Sequence, residues 1–194
     1  MNIGRPTEFD RKEALNKAME LFWSQGYEST GLTELTQQMG IGRQSLYNAF
    51  GDKHALFVAA FEQYVADKTE PLVSQLRAPG SPLGNIRKVL DSVVEFVVAG
   101  DCRGCLVTNS IVELAPNDSD VRKLVTSVVK RLEQAFRDTL DRAAAVGEIA
   151  AGSDTLAMAR FLNGTLHGLL VLGKVSSRRA LLLDVVNVAM TAIR

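Results

Sequence analysis

The stretch TGLTELTQQMGIGRQSLYNAF, Thr30 to Phe50, decides the fold. Leu32, Leu35 and Met39 recur at i, i+3 and i+7, which predicts a short helix. Gly40 closes it where the chain must reverse through a left-handed conformation that glycine adopts without a Cβ clash. A second helix starts near Gly42 or Arg43 and sets Leu46 and Phe50 one turn apart. Two short helices around a glycine-containing turn are the makings of a helix-turn-helix. With Leu35, Met39, Ile41, Leu46 and Phe50 turned inward, Arg43, Gln44, Ser45, Tyr47 and Asn48 are left facing out, and Lys53 lies just beyond. Arg can fork onto guanine, Gln and Asn onto adenine, while Ser and Tyr hydroxyls meet phosphate. Such residues also populate any solvated helix face, so the pattern alone leaves both readings open.

The helical period continues on either side. Ala14, Leu15, Ala18, Leu21 and Phe22 share one face of a helix that Gly26 stops. Asp52 is placed to cap a long helix that carries Leu56, Phe57, Ala60, Phe61 and Tyr64. Ala78-Pro79-Gly80-Ser81-Pro82 is the clearest breaker. Five further helices are expected beyond it: Leu83 to Ala99, Cys105 to Leu114, a long one to about Ala145, Asp154 to about Lys174, and Ser177 to Ile193. No period-two strand pattern appears. The expected fold is therefore all-α with about nine helices. A helix-turn-helix domain would occupy residues 1–52, a connecting helix and linker 53–80, and a further helical domain 81–194.

Composition narrows the function. The chain has 194 residues, 46% hydrophobic and 23% charged, with 22 basic and 22 acidic side chains. That is too apolar and too balanced for a disordered tail, and long enough for a core that needs no disulfide or metal. Two cysteines suit a reducing cytoplasm. Met1 is followed by charges rather than an apolar run, and Phe161 to Gly173 is too short to span a bilayer. A soluble cytoplasmic protein without a membrane segment is expected. Residues 1–54 hold six basic and seven acidic side chains, so their sum is slightly negative and any DNA contact must depend on where the charges sit.

The run from Gly4-Arg5-Pro6 through Leu21-Phe22-Trp23, Gly26-Tyr27-Glu28-Ser29-Thr30, Met39-Gly40-Ile41, Leu46-Tyr47 and Phe50-Gly51-Asp52-Lys53 to Leu56-Phe57 resembles the DNA-binding domain of tetracycline-repressor-like (TetR) transcriptional regulators. The resemblance covers the first third of the chain in register. It departs at Gly31, where the family often has Ser or Thr, and at Gly42, which stabilises a helix start less than Ser would. It implies that Tyr47 and Lys53 contact phosphates, that Thr30 takes over a cap and a phosphate contact, and that Arg43, Gln44, Ser45 and Asn48 lie in or beside the major groove. Arg5 would reach the minor groove as an arm. The family's subunits pair through their last two helices, which here carry Gly164, Gly168, Gly173, Ala180, Leu181, Leu183, Val185, Val188 and Ala192. The resemblance thus implies a homodimer on a double-stranded, palindromic operator, acting as a repressor that a small-molecule effector releases.

Effector candidates in the apolar C-terminal region are Phe96, Cys105, Leu106, Asn109, Ile111, Met158, Phe161, Leu162, Asn163 and His167. The polar ones are the more telling, because a buried polar group needs a partner. Cys102-Arg103-Gly104-Cys105 is a C-x-x-C at a helix start, where the helix end and Arg103 both favour thiolate. It leaves open an alternative, a repressor switched by oxidants or electrophiles through Cys102 and Cys105. It equally fits two small packed residues. No metal site is expected, since His54 and His167 are far apart and no third cysteine exists. Neither an enzyme nor a cofactor is expected: Gly-rich phosphate loops, H-E-x-x-H and G-x-S-x-G are all missing from the sequence.

Overall fold

The computed structural model describes residues 9–100 and 102–194, and every regular element among them is helical. Two compact units divide between Tyr64 and Val65. The first contains α1 (Arg11–Gln25), α2 (Leu32–Met39), α3 (Arg43–Phe50) and α4 (Lys53–Tyr64). The second contains a π-helical turn (Val65–Thr69), α5 (Glu70–Arg77), α6 (Pro82–Ala99), α7 (Leu106–Glu113), α8 (Ser119–Ala145), α9 (Thr155–Leu172) and α10 (Arg179–Ala192). Residues 53–77 are helical without a break, so α4, the π turn and α5 form one run and the described residues hold nine helices. The connecting segment expected at 53–80 is itself shared between the two units.

In the first unit Asp10 caps α1 by accepting from the backbone N–H groups of Lys12 and Glu13, and Asp52 does the same for Ala55 at the start of α4. Helices α1 and α4 meet through rings. Phe22 stands edge-on to Phe57 at 5.3 Å, Tyr27 to Phe57 at 5.1 Å and Trp23 to Tyr64 at 5.1 Å. Helices α2 and α3 close the unit with Leu35, Met39, Leu46 and Phe50, all buried. Gly40 has φ +70° and ψ +28°, the left-handed reversal that the turn between them requires.

In the second unit α8 packs along α9, while α6 lies against α5, α8, α9 and α10. Arg87 of α6 holds Asp91 through a two-oxygen contact at 2.9 Å and donates to Asn187 of α10. Arg179 of α10 holds Glu95 of α6 at 2.6 Å. The π turn has a cause in Pro71, which has no N–H for the carbonyl of Asp67 and whose ring would strike that carbonyl in a regular α-helix. By length and composition α9 could cross a membrane. It is packed instead against α6, α7, α8 and α10, and it carries Asn163 and His167. Gly173 is needed inside the subunit, since a Cβ there would come within 2.5 Å of Val97 of α6. Gly164 and Gly168 face open space.

Phe57 joins three ring contacts, with Phe22, Tyr27 and Phe61, and is 1% exposed. Phe57→Ala is expected to cost the first unit about 3–5 kcal/mol. Urea unfolding followed by the fluorescence of Trp23 should show this as an early transition, whereas Tyr47→Ala at the surface should leave the curve in place.

Candidate nucleic-acid interface

Helix α3 has eight residues and buries only Leu46 and Phe50. Arg43, Gln44, Tyr47 and Asn48 are exposed and Ser45 is half-buried. The amide of Gln44 donates to Asn48 Oδ1 at 3.0 Å, so the two exposed amide side chains form one pair one turn apart. Tyr47 is 42% exposed despite its size. Lys53, in the first turn of α4, lays its ammonium 4.2 Å above the centre of the Tyr27 ring, which fixes the stem and leaves the cation at the edge of the head. Arg11 is drawn the other way: its guanidinium lies 4.8 Å over Phe50 and donates to the carbonyl of Ala49. Helices α2 and α3 both begin at glycine, Gly31 and Gly42, with no side chain bonded to their first N–H groups. Those amides stay open to an anion.

Thr30 is corrected. It is fully buried, and its hydroxyl donates to the carbonyl of Gly26 at 2.6 Å. It therefore neither caps α2, which begins at Gly31, nor faces a phosphate. Arg5 lies outside the described residues.

In the second unit the expected effector residues separate. Leu106 and Leu162 are core, Phe96, Ile111 and Met158 are half-buried, and Cys105 is buried at the start of α7. Phe161 is 45% exposed and lines an apolar groove of about 400 Å³ between α9 and α10, with Thr165, Asp184, Val185, Val188 and Ala189. Asn109 is also engaged elsewhere, donating to the carbonyl of Arg103 and accepting from Lys174 at 2.9 Å. Asn163 and His167 stay together, one turn apart. The amide of Asn163 donates to the carbonyl of Val129 on α8, and His167 Nδ1 lies 3.1 Å from the hydroxyl of Thr108 on α7. Thr108 was missed, because a helical threonine carries no signal of its partner in sequence. Both cysteines are free thiols, Cys102 exposed with φ +66° and Cys105 buried. No group of three or more metal-binding side chains occurs among the described residues.

The fold and its exposed α3 define a helix-turn-helix DNA-binding protein. Residues 14–60 match the family described as bacterial regulatory proteins of the tetR family, and residues 82–187 match the tetracyclin repressor-like C-terminal domain. The chain is 34% identical to YezE, an uncharacterized HTH-type transcriptional regulator of Bacillus subtilis (strain 168), over 98% of this chain and 100% of YezE. It is 30% identical to ComR, an HTH-type transcriptional repressor of Escherichia coli (strain K12), over 98% of this chain and 90% of ComR. A cysteine-substituted form of the regulator CifR, solved with a 26-bp operator duplex, superposes with a TM-score of 0.88 at 34% identity, covering 98% of this chain and 100% of that one. The protein belongs to the TetR family: it is a DNA-binding transcriptional regulator and not an enzyme.

Two outcomes follow from these geometries. Tyr47→Phe and Lys53→Ala should weaken binding to every duplex alike, and Lys53→Ala should lower the salt slope by about one. Gln44→Ala or Asn48→Ala should relax base preference at one position. Fluorescence anisotropy on operator and random DNA separates the two classes. Burial lowers the pKa of His167 from its ordinary 6.5. The unfolded chain then takes up the proton first as pH falls, so this contribution is whole above about pH 6.5 and is lost as pH drops toward the lower folded value. Between about pH 7.5 and about pH 5.5 the melting temperature of His167→Gln should therefore fall less than that of the parent.

Proposed function

We propose that the chain is a homodimeric repressor that leaves a palindromic operator when a small molecule occupies its second unit. The observation that carries the dimer is a seam of small and apolar residues, exposed but for the half-buried Val185. Phe161, Gly164, Gly168 and Val171 on α9 follow i, i+3, i+7, i+10, and Leu181, Val185, Val188 and Ala192 on α10 follow i, i+4, i+7, i+11. Alternating steps of three and four are the spacing with which helices interdigitate along a shared seam. Val188 alone is 68% exposed, an unfavourable placement that a second copy would relieve. A two-fold axis there turns one short reading head into two, matched to a palindrome. ComR, which is a repressor, and the operator-bound CifR support the reading by likeness.

Release needs a path from effector to α4. Glu70, at the start of α5, pairs with Arg131 of α8, and Arg142 of α8 donates to the carbonyl of Leu76 near the end of α5. Helix α5 is thereby tied to α8 within the second unit. A hundredfold loss of operator affinity requires only about 2.7 kcal/mol of differential effector binding. The protein acts in the cytoplasm, with DNA and effector as its partners and no cofactor. A thiol-triggered version rests on Cys105 at the N-terminus of α7 with Cys102 exposed beside it.

The test pairs Val188→Asp with the double variant Cys102→Ser/Cys105→Ser. Val188→Asp should sediment as a folded monomer and lose at least tenfold in operator affinity. A dimer that persists and still binds would refute the seam. The double serine variant should still be released by reversible small molecules; release of the parent by an oxidant that no longer releases the double variant would favour the thiol mechanism.

A further inference from the structure

We infer that Asn163 and His167 form the polar edge of an effector site in the seam of α7, α8 and α9, and that its occupant is a small, uncharged, mainly apolar molecule bearing a hydroxyl group. This rests on the reading of the chain as an effector-controlled regulator and gives that effector a chemistry. Asn163 is 4% exposed. Each side chain is anchored by one polar atom to a different neighbouring helix, Asn163 Nδ2 to Val129 of α8 at 3.0 Å and His167 Nδ1 to Thr108 of α7 at 3.1 Å. The second polar atom of each, Asn163 Oδ1 and His167 Nε2, is buried without a hydrogen-bond partner. Unpaired buried polar atoms are destabilising and uncommon. Here two of them lie at i and i+4 of one helix, on the same face, with their Cβ atoms about 5–6 Å apart.

The atoms select their ligand. An amide oxygen only accepts, so the occupant must donate to Asn163. When the Thr108 hydroxyl donates to Nδ1, the imidazole proton sits on Nε2 and needs an acceptor. A hydroxyl group carries both functions, a donor for Asn163 Oδ1 and an acceptor for His167 Nε2. A carboxylate cannot donate, and burial keeps the imidazole neutral, so it offers such an anion no charge. Ala159, Leu166 and Leu170 flank the pair on α9, Cys105 lies one turn before Thr108, and Val125 and Leu132 flank Val129; all six are buried and apolar. They suit a hydrocarbon body and leave an ammonium group unpaired.

The test uses the full chain and three straight-chain alcohols, 1-butanol, 1-hexanol and 1-octanol, each against its methyl ether and the matching carboxylate. At least one alcohol should raise the melting temperature, move the Nε2 resonance of His167 in protein labelled with 15N-histidine, and release operator DNA. Its ether and carboxylate should act at least tenfold more weakly. Asn163→Leu should make alcohol and ether equal in the shift of melting temperature. Should that variant unfold, the Nε2 resonance in the parent protein decides, assigned through His54→Gln. Equal responses to alcohol and ether, or an Nε2 resonance that no alcohol moves, would overturn the proposal and leave an ordered water as the occupant. Alcohol binding by both physical readouts without operator release would uphold the site and count against the regulatory reading alone.

Discussion

The exposure of the reading head depends on how little α3 buries. An eight-residue helix that contributes only Leu46 and Phe50 to a core has almost no stability of its own, because short helices in water lack enough hydrogen bonds to offset nucleation. It persists because those two side chains dock into a unit already held by the rings of α1 and α4. The remaining side chains of α3 are then free to be chosen for chemistry rather than packing. The Gln44–Asn48 contact uses that freedom: it orders two flexible amides before any duplex arrives and lowers the entropy lost on binding.

The zero net charge of the chain is consistent with this arrangement. Several acidic side chains of the first unit have local partners, with Glu13 paired to Lys17 and Glu34 accepting from Gln25. Arg11 is held over Phe50, so it adds little to the field at the head. What remains is a small number of placed donors and two helix starts without a side-chain cap, groups suited to contact phosphates by geometry more than by bulk charge. The second unit follows a different logic. Phe161, Gly164, Gly168 and Val171 share one exposed face of α9, while the unsatisfied polar atoms of Asn163 and His167 lie on another face of the same helix.

Much of this could be read from the residues. Gly40, Asp52, Leu35 and Leu46 act as their types and spacing suggest, and the outward set Arg43, Gln44, Tyr47 and Asn48 is the complement of two buried positions on a short helix. What escaped the sequence was tertiary. Thr30 has the composition of a cap, yet the loop after α1 turns its hydroxyl back to Gly26. Phe161 sits beside apolar Leu162 in sequence, but its phase on α9 places it in the outer groove, whereas Leu162 is fully buried. Gly173 proved to serve Val97 rather than another subunit. The Asn163–Val129 and His167–Thr108 contacts join residues 34 and 59 positions apart, and no local pattern encodes them.

The central claim is that two copies of α3 are held at a fixed separation by the seam of α9 and α10. Hydroxyl-radical footprinting on the intergenic DNA beside the coding sequence tests it most directly. Two protected patches related by a two-fold axis, with centres about 34–36 Å apart or an integer multiple of that, are predicted. A single asymmetric patch, or no protection at moderate salt, would contradict the account.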